Sequence, residues 1–235
     1  MSQFYGGRDL EAMQFAYNYH CWILSLLQPF IGADIVEVGA GNGQFTQLLL
    51  ESCPLRSLIA VEPSVNLLSQ LRARLNPYPQ CTVVPGLFKD CAQTLTKSPQ
   101  TIIYINVLEH IADDHAELEW VYDALVPGGY LGIFVPAGPW LYGSLDAQVG
   151  HYRRYRKAAL ESLVQSVGLT LIRSQYFDSI GIVPWWINFC LLKRKTIKAH
   201  HVAHYDKIVV PWMRRLEQWI TPPIGKNILM VAQKQ

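Results

Sequence analysis

A glycine cluster, Gly39-Ala40-Gly41-Asn42-Gly43, lies between a short apolar run, Asp34–Val38, and an amphipathic run that continues through Glu51. No other feature narrows the fold so much. Glycines at a strand-to-helix turn adopt backbone conformations closed to other residues, so the chain turns tightly and comes close to a ligand. Gly39 serves the turn, Gly41 the close approach, and Gly43 the packing of the helix on the strand. Glu62 ends the next apolar run, Ser57–Val61, 23 residues after Gly39. An acid at that distance can accept hydrogen bonds from both hydroxyls of a ribose.

Around that turn, apolar strands alternate with amphipathic helices. Residues 10–30 carry apolar side chains at helical spacing as far as Pro29, and 1–30 read as a helical cover. Ser64 is placed to cap a helix running to about Leu75. Cys81–Val84 and Thr101–Asn106 read as strands, a helix follows from Asp114 to about Leu125, and Pro127-Gly128-Gly129 turns the chain into a fifth strand, Tyr130–Val135. A helix near 157–167, a strand near Leu169–Tyr176 and a last strand at Asn227–Ala232 complete the series. This pattern predicts one α/β domain over 1–235, built on a doubly wound, mostly parallel sheet with ligands outside the carboxyl ends of its strands. Residues 136–156, rich in Pro, Gly and aromatics, and 178–222, dense in Trp and Lys/Arg, read as irregular insertions on the substrate side.

A dinucleotide presents a pyrophosphate to such a turn and favours Gly-x-Gly-x-x-Gly, whereas here the third glycine comes one residue early. Glu37 would repel a pyrophosphate but suits the ammonium group of a methionine moiety. The stretch Glu37–Gly43 resembles the first motif of class I S-adenosylmethionine-dependent methyltransferases. Glu62-Pro63-Ser64 resembles that family's acidic ribose-binding strand end, and Gly86-Leu87 falls where an adenine contact is usual. Asn106-Val107-Leu108-Glu109-His110 resembles the segment after the fourth strand in ubiquinone-type O-methyltransferases, and Leu125–Gly129 the turn before the fifth. The matches cover about residues 30–137.

The resemblance implies a Rossmann-like methyltransferase fold with S-adenosyl-L-methionine as cofactor. It places Glu37, Gly39, Ala40, Gly41 and Gly43 at the methionine and ribose portions, Glu62 and Pro63 at the ribose, Leu87 beside adenine, and Asn106 and Val107 against the cofactor from the fourth strand. The family's usual acid after the third strand has no counterpart beside Leu87, since Asp90 comes three residues later.

Methyl transfer is an in-line displacement on a sulfonium, so alignment and exclusion of water are the main demands on the protein. A hydroxyl acceptor also needs a base, whereas an acceptor that is already anionic does not. His110 and His151 are the catalytic candidates. Asp146, five residues before His151, can orient it, and Arg153, Arg154 and Tyr155 just after suit an anionic substrate. The stretch Ser144–Tyr155 also resembles a subgroup of bacterial methyltransferases found beside enzymes that build surface polysaccharides and lipid-linked sugars. The expected activity is methylation of an oxygen on a small or lipid-linked anionic acceptor. Carbon or nitrogen acceptors, and a binding protein without catalysis, are the alternatives.

Charge divides along the chain: 1–150 hold 6 Lys and Arg against 14 Asp and Glu, while 151–235 hold 14 against 4. An acidic cofactor half and a basic half that meets something anionic would give such a split. Within Ile180–Tyr205, Trp185, Trp186, Phe189, Leu191 and Leu192 stand beside Lys193, Arg194, Lys195 and Lys198. That juxtaposition fits a peripheral membrane contact, a substrate lid or a homodimer contact. Apolar surface interleaved with the basic residues argues against a nucleic-acid partner. No acid or cysteine near His200, His201 and His204 completes a ligand set, so no metal is expected. The five cysteines form no Cys-x-x-Cys pair, and no stretch reads as a signal peptide or membrane span, which gives a cytoplasmic expectation.

Overall fold

The computed structural model describes residues 12–235, so the first eleven positions of the expected cover lie outside the described residues. The alternation becomes a seven-stranded sheet in the order β3-β2-β1-β4-β5-β7-β6. β1 (Asp34–Val38), β2 (Ser57–Glu62), β3 (Cys81–Pro85), β4 (Thr101–Ile105) and β5 (Tyr130–Pro136) run parallel. β7 (Asn227–Lys234) runs antiparallel between β5 and β6 (Leu169–Phe177). Strand order reverses at β1, between β2 and β4, and the crevice at such a point is where an open α/β sheet takes its ligand.

Parallel neighbours require crossovers, which cover both faces of the sheet and explain why the strands read as nearly unbroken apolar runs. On one face, α1 (Tyr17–Leu27), α2 (Gln44–Ser52) and α3 (Leu68–Leu75) bring Trp22, Leu49 and Leu71 to a core shared with Ile35, Leu58 and Phe134. On the other, α4 (Phe88–Ala92) and α5 (Asp114–Ala124) bring Phe88, Cys91, Leu118 and Val121 against Val36, Ile102 and Ile133. β1 is buried at every position, including Glu37. A carboxyl on a doubly covered strand is costly to bury, which marks that point of the sheet for function.

Three expectations are corrected. Ser64 does not cap α3, which starts at Leu68; its backbone N–H donates to Glu62 instead. The segment 136–156 is not wholly irregular: it holds α6 (Ser144–Val149), closed by Gly150 in a left-handed conformation (φ 83°). After α7 (Lys157–Ser166) and β6, the segment 178–222 is mostly helical. It contains α8 (Ile182–Trp185), a π-helical turn (Trp186–Leu191) and α9 (Ala199–Trp219), 21 residues long with Pro211 inside it.

Proline removes a helical N–H and reads as a breaker. Here tertiary packing prevails. Asp206, Val210, Met213 and Glu217 recur at helical spacing and are buried, with Val210 and Met213 in the same core as α1. Asp206 also serves α1 directly, accepting from the backbone N–H groups of Asn18 at 3.0 Å and Tyr19 at 2.8 Å. The residue preceding α1, Ala16, makes no side-chain cap, so a distant carboxylate satisfies donors that a local cap would have taken.

Candidate active site

The carboxyl ends of β1, β2 and β4 open on a cavity of about 750 Å³. Its wall includes Glu37, Gly39, Ala40, Gly41, Glu62, Pro63, Leu87, Asn106 and Val107 on one side. Glu109, His110, His151, Arg154, Trp185 and Lys226 complete the other, with Met13, Tyr19 and His20 from the N-terminal cover.

Gly39 and Ala40 donate their N–H groups to the carbonyl of Val61 at 2.8 and 3.0 Å, folding the loop back over β2. Gly39 is left-handed (φ 73°), and a Cβ there would lie 2.4 Å from Val107 Cγ2, so only glycine allows the loop to meet the end of β4. Gly43 is also left-handed (φ 80°) but does not face the cavity. A Cβ there would strike Leu71 of α3 at 2.8 Å, so the cofactor contact expected of Gly43 gives way to helix packing.

Glu62 is buried. Its Oε2 accepts from Gly41 N–H and its Oε1 from Ser64 N–H, both at 2.7 Å, which fixes the carboxylate while each oxygen keeps a second lone pair. Glu37 is buried beside it, and its Oε2 has no hydrogen-bond partner. Burial, reinforced by the nearby Glu62 carboxylate, pushes its carboxyl up to about 8. Asn106 adopts a left-handed backbone (φ 54°), unusual away from glycine, with its N–H on the carbonyl of Phe134 at 2.7 Å. Phe88, though it borders the cavity, is core: its ring meets Tyr104 edge-on, centroids 6.2 Å apart. Together these groups suit an adenosine ligand with a cationic head: a buried carboxyl with one oxygen unpartnered for the cation, fixed lone pairs for vicinal hydroxyls, and Leu87 for a flat apolar ring.

Opposite lies the loop after α6. His151 Nδ1 is 2.7 Å from Asp146 Oδ1. Asp146 is fully buried and accepts from Arg154 Nε at 2.9 and 3.0 Å and from Gly143 N–H at 2.8 Å. Burial alone would raise its carboxyl, but the His151 hydrogen bond and the Arg154 charge outweigh it and hold the group below the ordinary carboxylate range. The Arg154 guanidinium also donates to the Ala137 carbonyl at 3.2 Å and lies 4.3 Å over the Trp185 ring.

The substrate role expected of Arg153 and Tyr155 does not fit their placement, because neither lies on the cavity wall; Asp146, which can orient His151, does not border it either. Arg153 pairs with Asp114 and the Ala112 carbonyl, and the Tyr155 hydroxyl donates to Asp114 at 2.8 Å. Both staple the loop to α5. Trp185, for which a membrane contact, a substrate lid and a dimer contact were open, turns inward: its Nε1–H donates to the Leu141 carbonyl at 3.1 Å and the residue borders the cavity.

Among the wall residues to which the sequence reading gave no role are Glu109, quoted only within its motif, and Lys226. Glu109 is fully buried with neither carboxylate oxygen hydrogen-bonded, and its Oε1 stands 3.8 Å from His151 Nε2. Burial pushes it up to about 7, against the pull of His151 and Arg154. Lys226 borders the cavity just before β7, its Nζ 2.7 Å from Asp178 Oδ2 and 5.0 Å over the Tyr19 ring. Its position after Gly225, at the entry to the last strand, was the available signal. His110 packs edge-on to His151 with centroids 4.6 Å apart, and burial, then the His151 charge, lowers it to about 4. Glu109, His110 and His151 each offer a ligand atom within 4.8 Å of the others, a donor set of two imidazoles and one carboxylate.

The methyltransferase-domain family matches residues 15–174. A trans-aconitate 2-methyltransferase of Acidovorax sp. is 34% identical over 102 residues, 43% of this chain and 38% of that enzyme, so the chain spans well under half the length of this relative. Among solved structures, a Haloferax volcanii methyltransferase complexed with the Trm112 activator superposes with a TM-score of 0.66 at 18% identity, covering 97% of this chain and 94% of the other. An S-adenosylmethionine-dependent methyltransferase from Archaeoglobus fulgidus gives 0.64 at 15% identity, covering 96% and 98%. The matched family spans the glycine loop, the Glu62 strand end and the His151 loop alike, and the chain belongs to it: residues 15–174 form a methyltransferase domain.

Proposed function

We propose that the chain transfers the methyl group of S-adenosylmethionine to an oxygen of an anionic acceptor, small or lipid-linked. The observation that carries this reading is His151 on the cavity wall, with its Nδ1 against the buried carboxylate of Asp146. S-adenosylmethionine, when bound, supplies a methyl group on a positively charged sulfur that an entering electron pair displaces. Glu37, Gly39, Ala40 and Gly41 would hold its methionine portion, Glu62 and Pro63 its ribose, Leu87 its adenine, and Asn106 and Val107 would close the contact from β4.

The protein's own part is orientation and proton acceptance. With Nδ1–H given to Asp146, His151 Nε2 is the atom left to take the proton of an acceptor hydroxyl. Asp146 cannot rotate away, because Arg154 and Gly143 hold both its oxygens. The trans-aconitate 2-methyltransferase relative supports a small acid. A carboxylate acceptor needs no base, so His151 would then position the acceptor rather than deprotonate it.

Incubation with methyl-labelled donor and a panel of polycarboxylic acids, hydroxy acids and extracted lipids, followed by mass spectrometry, tests the reading. Label is expected on a carboxyl or hydroxyl oxygen of an anionic acceptor. Transfer confined to amines or carbon would overturn it.

A further inference from the structure

The segment between β6 and β7 has two faces. Inward, Trp185 and Ile197 reach the cavity wall. Outward, Val183, Trp186, Leu191 and Leu192 are exposed. On α9, Ile208, Trp212, Leu216 and Trp219 recur at steps of four, four and three, so they form one exposed stripe along the helix, with Ile220 exposed just past its end. Trp212 is 69% and Trp219 88% exposed, extreme values for the largest apolar side chain. Glu217 joins the two parts: it accepts from the N–H of Ser179 at 3.0 Å and of Asp178 at 3.2 Å, so the outward-facing turn begins beside the C-terminal half of α9.

Charge on the exposed residues of this segment is of one sign. Residues 179–225 contain Lys193, Arg194, Lys195, Lys198, Lys207, Arg214 and Arg215, and only two acids, Asp206 and Glu217. Both acids are buried and engaged with backbone N–H groups of the chain itself. An exposed aromatic stripe rimmed by cations, with no exposed acid, does not suit a second copy of the chain. A two-fold contact would set these cations against their equals. It suits a surface that is apolar inside and anionic at its rim, which is the interface of an anionic bilayer. No helix among the described residues is long and apolar enough to cross a membrane, so α9 would lie flat.

We propose that the outer face of 183–220 docks on anionic lipid, setting the wall built by Trp185 and Ile197 against the bilayer. This names the phase in which the acceptor proposed above is met, and for that meaning it rests on that reading.

The test is sedimentation of the purified protein with vesicles of phosphatidylglycerol and phosphatidylcholine, against phosphatidylcholine alone, with no methyl donor or acceptor present. Failure of the proposed reaction therefore leaves this result untouched. Binding is expected to the anionic vesicles at low ionic strength, and to fall about 10-fold or more on raising salt or on changing Lys193, Arg194, Lys195 and Lys198 together to Gln. Trp212→Ser with Trp219→Ser is expected to weaken it comparably and to abolish the blue shift of tryptophan emission on binding. None of these residues borders the cavity, so S-adenosylhomocysteine affinity should be unchanged and serves as the check on folding. Three outcomes would overturn the proposal: no co-sedimentation with anionic vesicles at low salt, equal binding to neutral ones, or a dimer in light scattering that Trp219→Ser dissociates.

Discussion

Tyr19 donates its backbone N–H to Asp206 Oδ1 at 2.8 Å, joining the first turn of α1 to the middle of α9 across 187 residues of sequence. Asn18 adds two further donors to the other oxygen, at 3.0 and 3.1 Å. Asp206→Ala leaves these donors without their acceptor in a part-buried site. A loss of about 2 kcal/mol in unfolding free energy is expected, in the range of a lost helix cap plus an unsatisfied donor. Denaturant unfolding measures it, and a change below about 0.5 kcal/mol would show that water replaces the carboxylate without cost.

Glu62→Ala should weaken S-adenosylhomocysteine binding by about 2–3 kcal/mol, because the carboxylate is fixed by Gly41 and Ser64 and offers charge-assisted acceptors to the ribose. Gly41→Val should abolish binding, since position 41 is left-handed (φ 57°) and borders the cavity. Titration calorimetry on folded variants checks both. Normal affinity in either would remove the donor from this loop.

His151→Ala should lower turnover by about 10²-fold at neutral pH while leaving donor affinity intact, with recovery at high pH if the acceptor is a hydroxyl. Asp146→Asn should show part of the same loss. If the acceptor is a carboxylate, the loss should be independent of pH. Chelation followed by added zinc addresses the alternative use of Glu109, His110 and His151: activity lost and restored in that order would make them ligands.

Glu37 titrates at about 8 in the folded protein against an ordinary 4.5. Between those values the folded state holds a proton that the unfolded chain has released, so stability should fall as pH rises from about 4.5 to about 8 and then level off. Glu109, raised to about 7, acts in the same direction over the lower part of that window. Glu37→Gln should flatten the slope up to about 8, and Glu109→Gln its portion up to about 7, in urea unfolding across the pH range. A cationic donor favours the ionised carboxyl, so its binding below about pH 8 should release a proton, visible as calorimetric heats that vary with buffer.

Features set by neighbours in sequence were the legible ones. Gly39, Gly41 and Glu62 meet because a strand, a tight turn and a helix bring fixed offsets together, and Asp146 reaches His151 across a single short helix. Direction was not legible: Arg153 and Tyr155 read as substrate groups, yet both turn to Asp114, on an element that the loop's own sequence does not reveal. Nor was long-range convergence, since Lys226 and Tyr19 meet at the cavity from opposite ends of the chain. The segment of α9, read as irregular because it is dense in Trp and Lys/Arg, differs for a related reason: Pro211 stands inside the helix. Its local cost argues for a break, and the burial of Val210 and Met213 that offsets it belongs to the tertiary structure.

β6 reaches the sheet, among the described strands, only through β7, which lies between it and β5. A ribosome makes residues 169–177 first and must add 178–226 before the intervening strand exists. Until then β6 is an orphan ribbon, its backbone open to capture by another nascent chain. The interior of the sheet is thus completed out of sequence, by a late strand that pairs with β5 on one side and β6 on the other. Pairing at such sequence separation raises contact order, which slows folding and prolongs exposure of unpaired strands during synthesis.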